Sequence, residues 1–100
     1  MPVQPTLKLK DAVSLLSHEA RWRLLRELAT GENLPLSELA RRVGLAADST
    51  SKHMATLARL GLVQKVYGHL YVLAPAYRPA PGATTLDLGL CVLRLDALGA

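Results

Sequence analysis

Residues 36–73 read LSELARRVGLAADSTSKHMATLARLGLVQKVYGHLYVL, and this stretch decides the fold. Its first residues place Leu36, Leu39, Ala40 and Val43 at spacings of three and four, which predicts one buried helical stripe. Glu38, Arg41 and Arg42 fall on the other side, and Gly44 breaks the helix. After a tight connection at 45–47, a longer helix is predicted from Ala47 to Leu60, with Thr50, Met54, Leu57 and Leu60 inward. Gly61 stops it. The apolar period then changes to that of a strand. Val63, Lys65 and Tyr67 alternate with Gln64 and Val66, Gly68 turns the chain, and a second strand runs from His69 to Leu73. A short helix, a tight turn, a longer helix and a hairpin compose the winged form of the helix-turn-helix.

Upstream, apolar residues from Leu7 to Leu16 predict a short first helix. Ser17 is placed to cap a second helix carrying Ala20, Trp22, Leu24, Leu25 and Leu28, which Gly31 ends. Asn33, Leu34 and Pro35 read as a link, with Pro35 suited to the first turn of the third helix. Downstream, three prolines between Ala74 and Gly82 exclude a helix or a central strand there. From Thr84 to Asp96 the alternation resumes, with Leu86, Leu88, Leu90 and Val92 on one face, and this predicts a strand with Gly89 as a bend. The expected architecture is mainly α with a small β-sheet (α+β): four helices, a β-hairpin wing and an extra C-terminal strand. Residues 1–74 form the winged helix-turn-helix domain, 75–83 a Pro-rich linker, and 84–100 a segment for dimerisation or closing the sheet.

Composition narrows the function. The chain has 100 residues, half of them hydrophobic and a fifth charged, which excludes a disordered tail and suits one small core. Net charge is +4, and ten of the twelve basic residues lie between Lys8 and Lys65. That balance admits nucleic acid without resembling a polycationic tail. Only Trp22, Tyr67, Tyr71 and Tyr77 are aromatic, which argues against a base-stacking single-strand binder. No apolar run approaches the ~20 residues that cross a bilayer, and Met1 to Lys10 lacks a signal-like apolar core. A cytoplasmic protein with no membrane partner is expected. No Ser/His/acid order, glycine-rich phosphate loop or paired carboxylates suggest an enzyme.

The helix over 47–60 carries the functional signal. Off its core stripe lie Ala47, Asp48, Ser49, Ser51, Lys52, His53, Thr56 and Arg59. An ordinary solvated helix carries Glu and Lys pairs there, and three Ser/Thr in a row are poor formers of an exposed helix interior. Such a face matches the hydrogen-bonding edges of a major groove, which is wide enough for an α-helix. A capping cluster at the helix end is the bland alternative. Asp48 suits the positive end of the helix dipole, and a bond from cytosine N4 is its other reading. Lys65 is the one basic residue near the wing, so the wing is expected to add few phosphate contacts.

The stretch LSHEARWRLLRELATGENLPLSELARRVGLAADSTSKHMATLARLGLV, with Ser37 to Ala40 and Ser51 to Met54 at the motif positions, resembles the ArsR-like bacterial repressors. The resemblance spans roughly residues 9–73. It implies a winged-helix dimer in which Ser49, Ser51 and Lys52 approach base edges, His53 approaches a phosphate, and Arg41 and Arg42 face the DNA backbone. Metal-sensing relatives place thiolates on the third helix or Asp/His pairs on a terminal helix. Neither pattern occurs here: 33–43 contain no Cys or His, and His18, His53 and His69 lie on separate elements, without ligand spacing to one another or to Cys91. No cofactor or metal is expected, and the sequence identifies no small-molecule effector. Cys91 reads as a small buried hydrophobe, with a redox pair across a dimer axis as its only other chemistry. The expected partners are double-stranded DNA and a second copy, through the first helix or the C-terminal strand. The competing reading is a winged-helix module that docks protein, without DNA binding.

Overall fold

The computed structural model describes residues 8–88 and 92–96. Four helices, α1 (Leu9–Leu16), α2 (Glu19–Leu28), α3 (Leu36–Val43) and α4 (Ala47–Arg59), lead into the strands β2 (Val63–Val66) and β3 (Leu70–Leu73). A two-residue strand, β1 (Leu34–Pro35), precedes α3 and pairs antiparallel with β3, giving the sheet order β1-β3-β2. The segment read as a link is thus the third strand of the wing sheet. Two residues are too few to show a period, and Pro35 signals a helix start more strongly than a strand.

Two left-handed glycines set the geometry of the helix pair. Gly44 has φ +73°, and behind it Leu45 N–H bonds Ala40 C=O at 3.0 Å while Gly44 N–H bonds Arg41 C=O at 3.3 Å. Gly61, at φ +81°, repeats the pattern with Leu62 N–H to Leu57 C=O and Gly61 N–H to Ala58 C=O, both 3.0 Å. Each is a Schellman stop that satisfies the last helical carbonyls and redirects the chain within two residues. The second also drives Leu62, fully buried, into the core.

One core joins all the elements. Leu15, Leu24, Leu25, Leu28, Leu39, Met54, Leu57 and Leu62 are fully or almost fully buried together. Trp22 locks α1 onto α2 by donating Nε1–H to Leu15 C=O at 2.9 Å. Thr50, the buried polar residue of the core, donates its hydroxyl to Ala46 C=O at 2.9 Å, so its burial leaves no orphan group.

The C-terminal part departs from expectation. A 3-10 turn at Pro75–Tyr77 opens the Pro-rich segment and buries Tyr77, raising the pKa of its phenol by desolvation. The single strand expected over Thr84 to Asp96 is instead a hairpin of β4 (Thr85–Asp87) and β5 (Val92–Arg94), forming a separate two-stranded sheet. Its register is Thr85↔Arg94, Leu86↔Leu93 and Asp87↔Val92. The reversal changes which residues share a face: Leu86, Leu88 and Leu93 enter the core while Val92 points to solvent. Cys91 and its proposed roles, with Gly89 and Leu90, lie outside the described residues. Among the described residues no helix is long and apolar enough to cross a membrane.

Candidate nucleic-acid interface

The helix-turn-helix pair presents α4 along one edge of the molecule. Thr50, Met54 and Leu57 anchor it inward, each fully buried. On the opposite side Asp48, Ser49, Ser51, Lys52 and Arg59 are exposed. No side-chain hydrogen bond or ion pair occupies Ser49, Ser51 or Lys52 among the described residues. Asp48 lies in the first turn, where its charge complements the helix dipole, and the N-cap Ala46 offers no side-chain cap. Thr56 is half-buried and turns its hydroxyl back to Lys52 C=O at 3.2 Å, so its donor serves the helix itself.

The remaining residues proposed from sequence sit differently. His53 leans toward α2, half-buried, and its Nδ1 accepts a hydrogen bond from Arg21 Nε at 3.3 Å. The His18 ring lies 5.4 Å away, centroid to centroid. Burial, then the charge of Arg21, then His18 push the pKa of His53 below its usual value. Arg21 also donates to Ser14 C=O and Ser14 Oγ, at 2.7 and 3.0 Å, so one guanidinium ties α1, α2 and α4 together. Burial and then the neighbouring Arg59 charge lower its own pKa. Sequence spacing does not reveal Arg21, because its partner on α4 is thirty-two positions away.

Arg41 and Arg42 are adjacent in sequence but differ in situation. Arg42 is enclosed by carboxylates: Glu38 and Glu32 at 3.1 Å, and Glu27 at 3.5 Å. Its side chain is 25% exposed, whereas that of Arg41 is 71% exposed and engages Glu38 alone. The two arginines, Arg41 foremost, hold the Glu38 carboxyl down at about 2. Arg42 therefore fastens α3 to the end of α2 and the loop beyond it, and Arg41 stands at the rim. Lys65 is exposed on β2, its ammonium 5.5 Å from the centroid of the Tyr71 ring. The hairpin tip between the strands is tight, with Tyr67 at φ +53° and strongly exposed.

The helix-turn-helix domain family matches residues 16–66, just over half of the chain. The chain belongs to the helix-turn-helix domain family. Among solved structures, HlyU from Vibrio cholerae is similar, with a TM-score of 0.54 and 29% identity, over 65% of this chain and 73% of that one. No curated protein matches the chain in sequence. Family and fold together identify a DNA-binding regulator of transcription on a winged helix-turn-helix frame. Among the described residues no three of His, Cys, Asp and Glu gather as a metal site.

Proposed function

We propose that this regulator binds duplex DNA as a homodimer and represses transcription, with α4 lying in the major groove. The observation that carries the reading is the two-sided character of α4. Its inner residues are fully buried, while Ser49, Ser51 and Lys52 stand exposed near its N-terminal end with no side-chain partner among the described residues. Short hydroxyl donors and one ammonium at that end suit base edges. Arg41, Arg59 and Lys65 surround the face as backbone-contacting cations, and Asp48 serves the helix dipole. Arg42 and His53 act in this reading by holding α3 and α4 in place, because their polar groups already meet protein partners. Repression follows the resemblance to ArsR-like repressors.

Binding-site selection followed by anisotropy titration at two salt concentrations tests this. The selected duplex is expected to bind more tightly than random duplex, with affinity falling steeply as salt rises. Lys52→Ala should narrow the gap between selected and random DNA. Arg41→Ala should weaken both alike and lower the salt slope by about one. A stable protein that binds no duplex even at low salt would instead be a protein-docking module, and the DNA reading of this face would fail.

A further inference from the structure

A cavity of about 570 Å³, lined by no residue of α3 or α4, opens between the end of α2, the loop at 29–33, β3 and the segment 78–83. The size falls within the range of about 300–1,000 Å³ typical of small-molecule sites. Much of its wall is apolar, including Leu28, Ala29, Val72 and Leu95. Three charged side chains also line it: Arg26, Glu32 and Arg78.

Their partners decide the sign of the charge left for a ligand. Glu32 is already matched, receiving both terminal nitrogens of Arg42 at 3.1 Å and the Thr30 hydroxyl at 3.2 Å. Arg78 is anchored through Nε, which donates to Leu73 C=O at 3.0 Å. Its two terminal nitrogens have no partner among the described residues. Arg26 has only a loose approach to Glu27, at 3.6 Å, and Glu27 also faces Arg42. The uncompensated charge of the wall is therefore positive, and a guanidinium held by Nε presents a planar pair of donors that matches a carboxylate.

We infer that this cavity binds an amphipathic organic carboxylate, its acid group on Arg78 and its apolar body against Leu28, Val72 and Leu95. The site also has a route to the DNA-reading element. The loop that forms one wall reaches α3 directly, because its Glu32 pairs with Arg42 of α3. A ligand that shifts this loop shifts α3, so the occupant is an effector; this part rests on the DNA-binding reading, whereas binding itself does not.

Isothermal titration of the full chain with biphenyl-4-carboxylate, and with the uncharged biphenyl-4-carboxamide, tests the site without any DNA. Saturable one-to-one binding of the acid is expected, about tenfold tighter than the amide, as one charge-assisted contact implies. Arg78→Gln should remove that preference. Ala80→Trp, on the exposed wall and clear of the Arg78–Leu73 bond, should abolish binding while far-UV circular dichroism stays unchanged. No saturable binding of the acid, equal affinity for acid and amide, or acid binding untouched by Ala80→Trp would each overturn the assignment. For the effector role, the acid should bind the duplex-saturated protein with a changed dissociation constant, since coupling is reciprocal. An unchanged constant overturns that role, and a chain that binds the acid but no duplex overturns the DNA reading instead.

Discussion

His53 shows how a residue on the partly exposed helix α4 can be engaged in holding the fold together. Its Nδ1 accepts from Arg21, and no carboxylate is among the groups that shift it, which are Arg21 and His18. The neutral form is favoured in the folded state, so the folded pKa lies below the usual 6.5. Between the two values the unfolded chain binds more protons, and stability must fall as pH falls. The contribution is full above pH 6.5, declines as pH drops through that value, and is lost once pH passes below the folded pKa. Urea midpoints taken from pH 8 down to 5 are expected to fall for the native chain. His53→Gln, which cannot take up a proton, should flatten that slope; an equal slope in both would remove His53 as its cause. Sequence alone gave this histidine a phosphate, because its motif position is visible and its partner is not. Arg42 repeats the lesson. Glu38 stands four positions before it and is legible on one helix face, but Glu27 and Glu32 reach it only after the chain folds back.

Among the elements, the turn between α3 and α4 sets the angle at which α4 is offered. Gly44 occupies it at φ +73°, and a Cβ there would meet nothing within 4 Å. The cost of Gly44→Ala is thus backbone strain without steric clash, about 1–2 kcal/mol for a left-handed non-glycine residue. Gly44→Asn should cost less, since Asn tolerates this region better. Urea unfolding measures both, and equal stability of all three chains would mean that the turn relaxes out of the left-handed region. The helices were legible because each carries an apolar stripe at helical spacing, and three of them are followed by a glycine stop at Gly31, Gly44 or Gly61. Short strands were harder. β1 has two residues and no period to read, and its pairing with β3 is set by Tyr71 and Leu70, far along the chain. The C-terminal hairpin hid inside an unbroken alternation, since a pattern of period two says nothing about where a strand reverses. Burial separates the two cases: Val92 would share a face with Leu86 in one strand, yet it is 56% exposed while Leu93 is covered.

For the whole molecule, the unexplained surface is on α1. Leu9 and Val13 are 70% and 58% exposed, one helical turn apart, and Leu16 continues the same stripe. Three large apolar side chains in line on a helix that already buries Ala12 and Leu15 call for a cover, and the second copy proposed above would supply one with the twofold symmetry of a palindromic site. The linkage through Arg21 gives that cover a consequence: Ser14 on α1 and His53 on α4 share one guanidinium, so packing at α1 bears on the placement of α4. In a dimer, stability depends on concentration by mass action, and the melting temperature of the native chain should rise with dilution reversed, that is, with increasing protein. Replacing Leu9 and Val13 together by Gln, a good helix former, removes the apolar stripe without disturbing the core. Sedimentation equilibrium should then report a monomer whose melting temperature no longer depends on concentration. That monomer should keep contact with a half-site while losing the gain from two half-sites spaced about 34 Å apart, and its salt slope should fall by about half. A native chain that sediments as a monomer at every concentration, and binds its selected duplex with an unchanged slope after the double substitution, would place one copy on each site and leave the α1 stripe for another partner.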